Sequence, residues 1–320
     1  MGEKKILFFI FLLSFSSLFS LHALGNKPFK NIQIITSVFP LQEFASAVVK
    51  GRGEVSLLLP PGAEIHTWRP RASDIIKLYS ADLVIYVGAS LELWLHDILK
   101  SAASPKLRVL EASKGLSLIK EDEDGHSHKE DKKSEEENHG HQPKYIDPHI
   151  WLDFEYDQII VDRIAAVLSE LDPEGETLFR ENAKSYKKKL QELDKKYCEA
   201  LRNCTHATFI LGGHAAFGYL AKRYDLNQIA LYGLSPDSKP TPKQLVDVIK
   251  VAKENNINAI YFEHYVSDEL AKVIAREIGA ETLVLYTGAN VTKEQLKSGI
   301  TFLKIMEKNL ESLRHGLICH

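Results

Sequence analysis

Apolar positions along the chain switch repeatedly between two spacings. Ile32 to Phe39 is a β-branched run that reads as a strand ended by Pro40, and Leu41, Phe44, Ala45, Val48 and Val49 then recur at helical spacing. Val55 to Leu59 reads as a second strand, stopped by Pro60-Pro61-Gly62, and it is followed by a helix over 71–80, a strand over 83–87, a helix over 91–102 and a strand over 107–110. Further on, a helix over 154–171 opens on Asp153 as its cap, and Asp172-Pro173 restarts a second one with Asp172 as cap. That second helix repeats Phe179, Ala183, Tyr186, Leu190, Leu193, Tyr197 and Leu201 at alternating spacings of four and three. About thirty residues at ~1.5 Å each make a rod of roughly 45 Å, longer than one small domain needs. Strands over 208–211, 228–231, 259–262 and 282–286 then alternate with helices over 215–224, 243–255, 267–278 and, last, 293–313. Buried apolar strands alternating with helices predict an α/β fold: two lobes, each a parallel sheet flanked by helices, joined by one long rigid helix.

The periodicity fails between 121 and 142. This stretch carries nine acids against three lysines, a local charge of −6, in a chain whose 40 basic and 43 acidic residues give a net charge of only −3. It has too little apolar surface to offset its ordering entropy and reads as a disordered acidic loop. Its four histidines, His126, His128, His139 and His141, give it the composition of an auxiliary, low-affinity metal binder. The absence of a basic excess argues against a nucleic-acid partner.

Residues 1–25 place Lys4 and Lys5 before a short apolar run and small residues at Ala23 and Gly25, the pattern of a secretory signal peptide. With no cysteine near that cleavage region for lipid attachment, a periplasmic location is expected. The expected organisation is a signal peptide (1–25), an N-terminal lobe (26–171), a linking helix (172–203) and a C-terminal lobe (204–320), in a monomer. The cysteines are Cys198, Cys204 and Cys319. An oxidising compartment permits Cys198 to pair with Cys204 if the helix ends between them, which leaves Cys319 over.

Three histidines occupy loops at the ligand-binding edge of the expected sheets. His66 lies beyond the second strand, His214 follows Gly212-Gly213 just past a strand, and His149 sits in Tyr145-Ile-Asp-Pro-His-Ile-Trp-Leu-Asp153, stiffened by Pro148. Neutral imidazoles suit Zn²⁺, which takes three of them and a fourth group in a tetrahedral site, whereas Mn²⁺ prefers more carboxylate oxygen. Trp68, Trp94 and Trp151 read as packing residues at lobe surfaces. Gly212-Gly213 is too sparse for a phosphate loop and reads as a close backbone approach beside His214. His96 and His206 lack ligand-edge placement.

The chain resembles the zinc/manganese group of ABC-transporter substrate-binding proteins, the ZnuA/TroA-like family. The resemblance is carried by Pro60-Pro-Gly-Ala-Glu-Ile-His66, by Asp147-Pro-His-Ile-Trp-Leu-Asp153, by His214-Ala-Ala-Phe-Gly-Tyr-Leu220 with Arg223-Tyr224, and by Gly233-Leu-Ser-Pro-Asp-Ser-Lys-Pro-Thr-Pro242. These occur in family order over essentially the whole chain beyond its leader, with the His-rich insertion before the second motif. The resemblance implies His66, His149 and His214 as metal ligands between two lobes, Zn²⁺ as transported cargo rather than catalytic cofactor, and delivery to the permease of an ABC importer. Histidine at 214 is similar to the zinc branch. One departure stands out: where many members have an aspartate ligand, Leu283-Val-Leu-Tyr-Thr-Gly288 places Tyr286, leaving the fourth position to water, to Glu263 or Glu64, or to a loop histidine. Glu263 can equally be an acceptor that orients an imidazole. A manganese- or iron-binding member of the same family is one alternative. A secreted zinc hydrolase is another, disfavoured because the chain has no His-Glu-x-x-His and no motif-bound general base.

Overall fold

The computed structural model describes residues 31–101, 106–121, 145–234, 240–264 and 267–320. The leader, the four histidines of the acidic stretch and the 235–239 part of the Pro-rich loop lie outside them. In the N-terminal half, β1 (Ile32–Thr36), α1 (Phe39–Val49), β2 (Gly53–Leu57), α2 (Ala72–Ser80), β3 (Leu83–Tyr86), α3 (Leu93–Ser101) and β4 (Arg108–Glu111) alternate as the spacing predicts. Their strands form one parallel sheet in the order β2-β1-β3-β4. Central β1 is almost wholly buried. Edge strand β2 alternates exposed and half-buried positions, because only one of its faces is well covered.

Two short strands missing from the periodicity reading, β5 (Lys120–Glu121) and β6 (Tyr145–Ile146), then pair antiparallel, and in sequence they flank the acidic stretch. A 3-10 turn at Ile150–Leu152 leads into α4 (Phe154–Leu171), which Asp153 caps by accepting the Glu155 N–H at 2.9 Å. Asp172 does not cap the next helix. Its carboxylate is held by the Arg52 guanidinium in two bonds of 2.5 and 3.0 Å, both groups buried, and a further 3-10 turn at Pro173–Gly175 intervenes. Removing one partner of such a buried pair costs about 3–5 kcal/mol, because the other is left charged and alone.

The spine is α5 (Glu176–Leu201), 26 residues and so about 39 Å long. Its buried positions are the seven that recur at spacings of four and three. It packs on α1 and α4 of the first lobe and on the last helix of the second. The C-terminal half runs β7 (Thr208–Leu211), α6 (Gly218–Arg223), β8 (Asn227–Ala230), α7 (Pro242–Glu254), β9 (Ala259–Glu263), α8 (Glu269–Ile278), β10 (Glu281–Leu285), α9 (Lys293–Lys297) and α10 (Phe302–Gly316). Its parallel sheet has the order β10-β9-β7-β8, the same strand sequence as the first sheet read from the other side.

The core follows from this layering. The inward faces of both sheets share one continuous apolar cluster with the spine, including Ile34, Phe44, Phe154, Tyr197, Phe209 and Phe302. The outward faces carry separate clusters, Ile35 with Leu78, Val84 and Leu95 in one lobe, and Ile210 with Val248, Ile260 and Ile274 in the other. Successive residues Ile34 and Ile35 thus serve different cores, as strand geometry requires.

Four further expectations are corrected. The last helix is two: α9 ends at Lys297, and Thr301 starts α10 by accepting the Lys304 N–H. The helix after His214 begins at Gly218 rather than Ala215. Trp151 is not at a lobe surface but buried, its indole N–H donating to the Thr287 carbonyl at 2.7 Å. The disulfide joins Cys204 to Cys319, not to Cys198. Helix α5 continues through Cys198 and leaves its thiol exposed on the last turn, while Cys204 lies past the helix end in a bridge with Cys319 that brings in the chain terminus.

Candidate metal centre

His66, His149 and His214 converge between the lobes. Their ring centroids are 5.3, 5.3 and 5.2 Å apart, and one donor atom from each lies within 4.8 Å of the others. No other such group of His, Cys, Asp or Glu occurs among the described residues.

His214 follows β7 and Glu263 ends β9. These are neighbouring strands whose onward connections run to opposite sides of the sheet, and that crevice is where open parallel sheets bind ligands. The Glu263 carboxylate accepts both the His214 N–H at 3.1 Å and His214 Nδ1 at 2.6 Å. Gly213 makes this approach possible, since a Cβ there would stand 2.6 Å from Glu263 Oε1, as the Gly-Gly reading anticipated. The Glu263 carboxylate is thus engaged by His214 at two points.

His149 is held in the same way by Asp147, two residues before it. Asp147 Oδ1 accepts the His149 N–H at 2.9 Å and His149 Nδ1 at 2.8 Å, with both residues buried. The Trp151 ring packs edge-on against the His149 ring. With each Nδ1–H engaged by a carboxylate, each Nε2 presents a lone pair, and the two Nε2 atoms face each other at 3.3 Å. Two lone pairs that close repel unless a cation or a shared proton lies between them. Two imidazole nitrogens bound to one tetrahedral zinc at about 2.0–2.1 Å would stand roughly 3.3 Å apart.

His66 is positioned differently. Its loop is pinned from the other lobe by Asn290, whose amide donates to the carbonyls of Pro60 and Ala63, each at 2.8 Å. Its ring has no carboxylate partner, and its Nε2 is buried without a hydrogen bond. The triad encloses a cavity of about 20 Å³, also lined by Glu64, Glu263, Thr287, Ala289 and Asn290. That is room for a single ion or water. Tyr286 does not line it. The Tyr286 ring packs instead against His264 and lies under the Lys308 ammonium. Glu64 does line it, and its carboxylate accepts the His66 N–H at 3.2 Å.

Burial and neighbouring charges act differently on the three rings. Burial, then the neighbouring His149 and His214, push the His66 pKa down to about 2, and burial next to His214 keeps His149 well below the imidazole range. Burial also opposes charge on His214, but the Glu263 carboxylate outweighs it and raises that pKa. Burial lifts the Asp147 carboxyl to about 7 against the pull of the His149 N–H.

The zinc-binding protein AdcA of Streptococcus pyogenes is 36% identical over 287 residues, covering 88% of this chain and 55% of AdcA. The chain thus spans about half the length of that relative. The high-affinity zinc uptake system protein ZnuA of Bacillus subtilis is 37% identical over 287 residues, covering 90% of this chain and 88% of that protein. The Zn(II)-bound ZnuA-like domain of Streptococcus pneumoniae AdcA superposes with a TM-score of 0.74 at 32% identity, over 90% of this chain and 99% of that one. The family described as "ZnuA: Zinc-uptake complex component A periplasmic" matches residues 34–316, and the chain belongs to that family.

Proposed function

We propose that this protein captures Zn²⁺ between its lobes through His66, His149 and His214 and delivers it, as cargo, to the permease of an ABC importer. The observation that carries the reading is the pair of carboxylate-anchored imidazoles whose Nε2 atoms stand 3.3 Å apart beside the partnerless Nε2 of His66. Neutral nitrogen donors without a carboxylate among them favour zinc over manganese or iron. Glu263 serves His214, so the fourth position falls to water or to Glu64. A cavity of about 20 Å³ suits an ion and leaves no room for an organic substrate, which supports binding rather than hydrolysis. Export by residues 1–25 to the periplasm, a monomeric state, the four-part division of the chain and a weaker metal-collecting role for His126, His128, His139 and His141 complete the proposal.

Calorimetry on metal-free protein lacking residues 1–25 tests it. One tight zinc site is expected, absent from His149→Ala; unchanged binding in that variant would end the assignment. Glu64→Gln separates the two fourth-position readings, since a water ligand predicts little change. Fractionation of cells producing the full chain tests the location.

A further inference from the structure

Tyr219 lies on α6, five residues beyond His214, with its ring buried edge-on against Tyr156 at 5.9 Å. Its hydroxyl crosses to the other lobe. It donates to the main-chain carbonyl of Asp147 at 2.9 Å and accepts the Ile119 N–H at 3.1 Å. Ile119 precedes β5 and Asp147 follows β6, and the Asp147 N–H itself bonds the Ile119 carbonyl at 2.9 Å. One phenol therefore closes the base of the β5–β6 ribbon and fixes the backbone of the residue that orients His149. Gly218 reinforces the grip, because a Cβ there would stand 2.7 Å from Asp147 Oδ2. The same short helix is bolted down behind by Arg223, which bonds Asp194 on the spine and Asp153 at the start of α4.

The two anchored imidazoles come from different lobes. Their separation depends on how the His214 segment is registered against the Asp147 turn. Glu263 and Asp147 each fix one ring within its own lobe, whereas Tyr219 and Gly218 relate one lobe's ring support to the other's. We propose that Tyr219 is a positioning residue for ion capture, its hydroxyl setting the spacing of His149 and His214 through the backbone of Asp147. This rests on the reading of the triad as the zinc site.

The test compares Tyr219→Phe with the unmodified protein, both lacking only residues 1–25. Loss of a group that supports a metal ligand weakens a site roughly 10–100-fold. The variant is expected to release zinc to a competing chelator about tenfold or more faster, and its Co²⁺-loaded form to show a shifted visible absorption spectrum, with the thermal transition of the metal-free protein little changed. Purely structural packing would move the transition and leave the Co²⁺ spectrum alone. Zinc release and a Co²⁺ spectrum identical to the unmodified protein overturn the proposal. Should Tyr219→Phe fail to fold, Gly218→Ala keeps the hydroxyl but presses on the Asp147 carboxylate, and unaltered zinc release from it overturns the proposal equally. Absence of a tight zinc site in the unmodified control refutes the triad reading itself, and with it this one.

Discussion

His149 and His214 are each clamped by a buried carboxylate through both the main-chain N–H and the ring Nδ1, whereas His66 has only its main-chain N–H accepted, by Glu64, and no carboxylate at its ring. The clamped rings have their tautomer and direction fixed before any ion arrives. His66 is held through its backbone, by Asn290 across the lobe interface and by Glu64 at its own N–H, and its pKa falls to about 2 through burial and the neighbouring rings. The contrast separates two ways of making a donor atom available. One aims it with a second residue, and the other disfavours its proton by burial beside two further rings.

The largest expected effect tests whether that distinction has energetic weight. His149→Ala or His214→Ala should abolish the tight zinc site and leave a buried carboxylate without its ring, while His66→Ala should retain measurable, weakened binding at the two clamped nitrogens. Equal loss in all three, by calorimetry, would show that the clamps carry no special energy. Next, Asp147→Ala and Glu263→Gln should each weaken zinc about 10–100-fold, the usual cost of a lost ring partner. Chelator competition measures it, and an unaffected Asp147→Ala would mean that the His149 ring is placed by packing alone.

A third prediction asks what a buried carboxylate does when it clamps nothing. Asp157 is fully buried with both oxygens unpartnered, and burial, with Asp153 nearby, raises its pKa well above the usual value. A raised carboxyl binds its proton more tightly in the folded state, so its stabilising contribution is complete below the unfolded pKa of about 3.9 and declines as pH rises toward the folded value. Asp157→Asn should remove that decline and raise the melting temperature by about 1–2 °C at pH 8, the shift expected for ~1 kcal/mol in a chain of this size, and by less at pH 5. An identical shift at both pH values would be evidence against it. The smallest effect is expected from the acidic stretch. Replacing residues 122–144 by Asn-Gly, which closes the paired Glu121 and Tyr145 as a two-residue hairpin, should remove weak zinc sites and leave the tight one within about twofold. Loss of the tight site would transfer capture to the loop.

Strand and helix positions were readable where burial imposed a period. The spine's seven buried residues and the Asp153 cap stand where spacing placed them. The three histidines were readable because a ligand edge is a property of topology, and topology follows from alternating elements. What escaped is what distant residues decide together. Two-residue strands such as β5 and β6 have no period to detect. Asp172 looked like a helix cap until Arg52, from the far side of α1, claimed it. Asp147 lay beside His149 in full view, but its role requires knowing that the chain turns back so that one carboxylate reaches both the N–H and the ring. Cysteine spacing gave Cys198 and Cys204 as neighbours, whereas the bond was made by a terminus returning from 115 residues away.

That returning terminus turns the second lobe into a covalently closed ring, with the spine attached at the seam. Closing a loop of about that length removes roughly 5 kcal/mol of disorder from the unfolded chain in the chain-entropy account, and all of that benefit accrues to one lobe. A protease that cuts anywhere between Thr205 and Ile318 therefore severs the backbone without releasing a piece. On a gel the nicked molecule should run as a single species until a thiol reductant is added, and only then part into two.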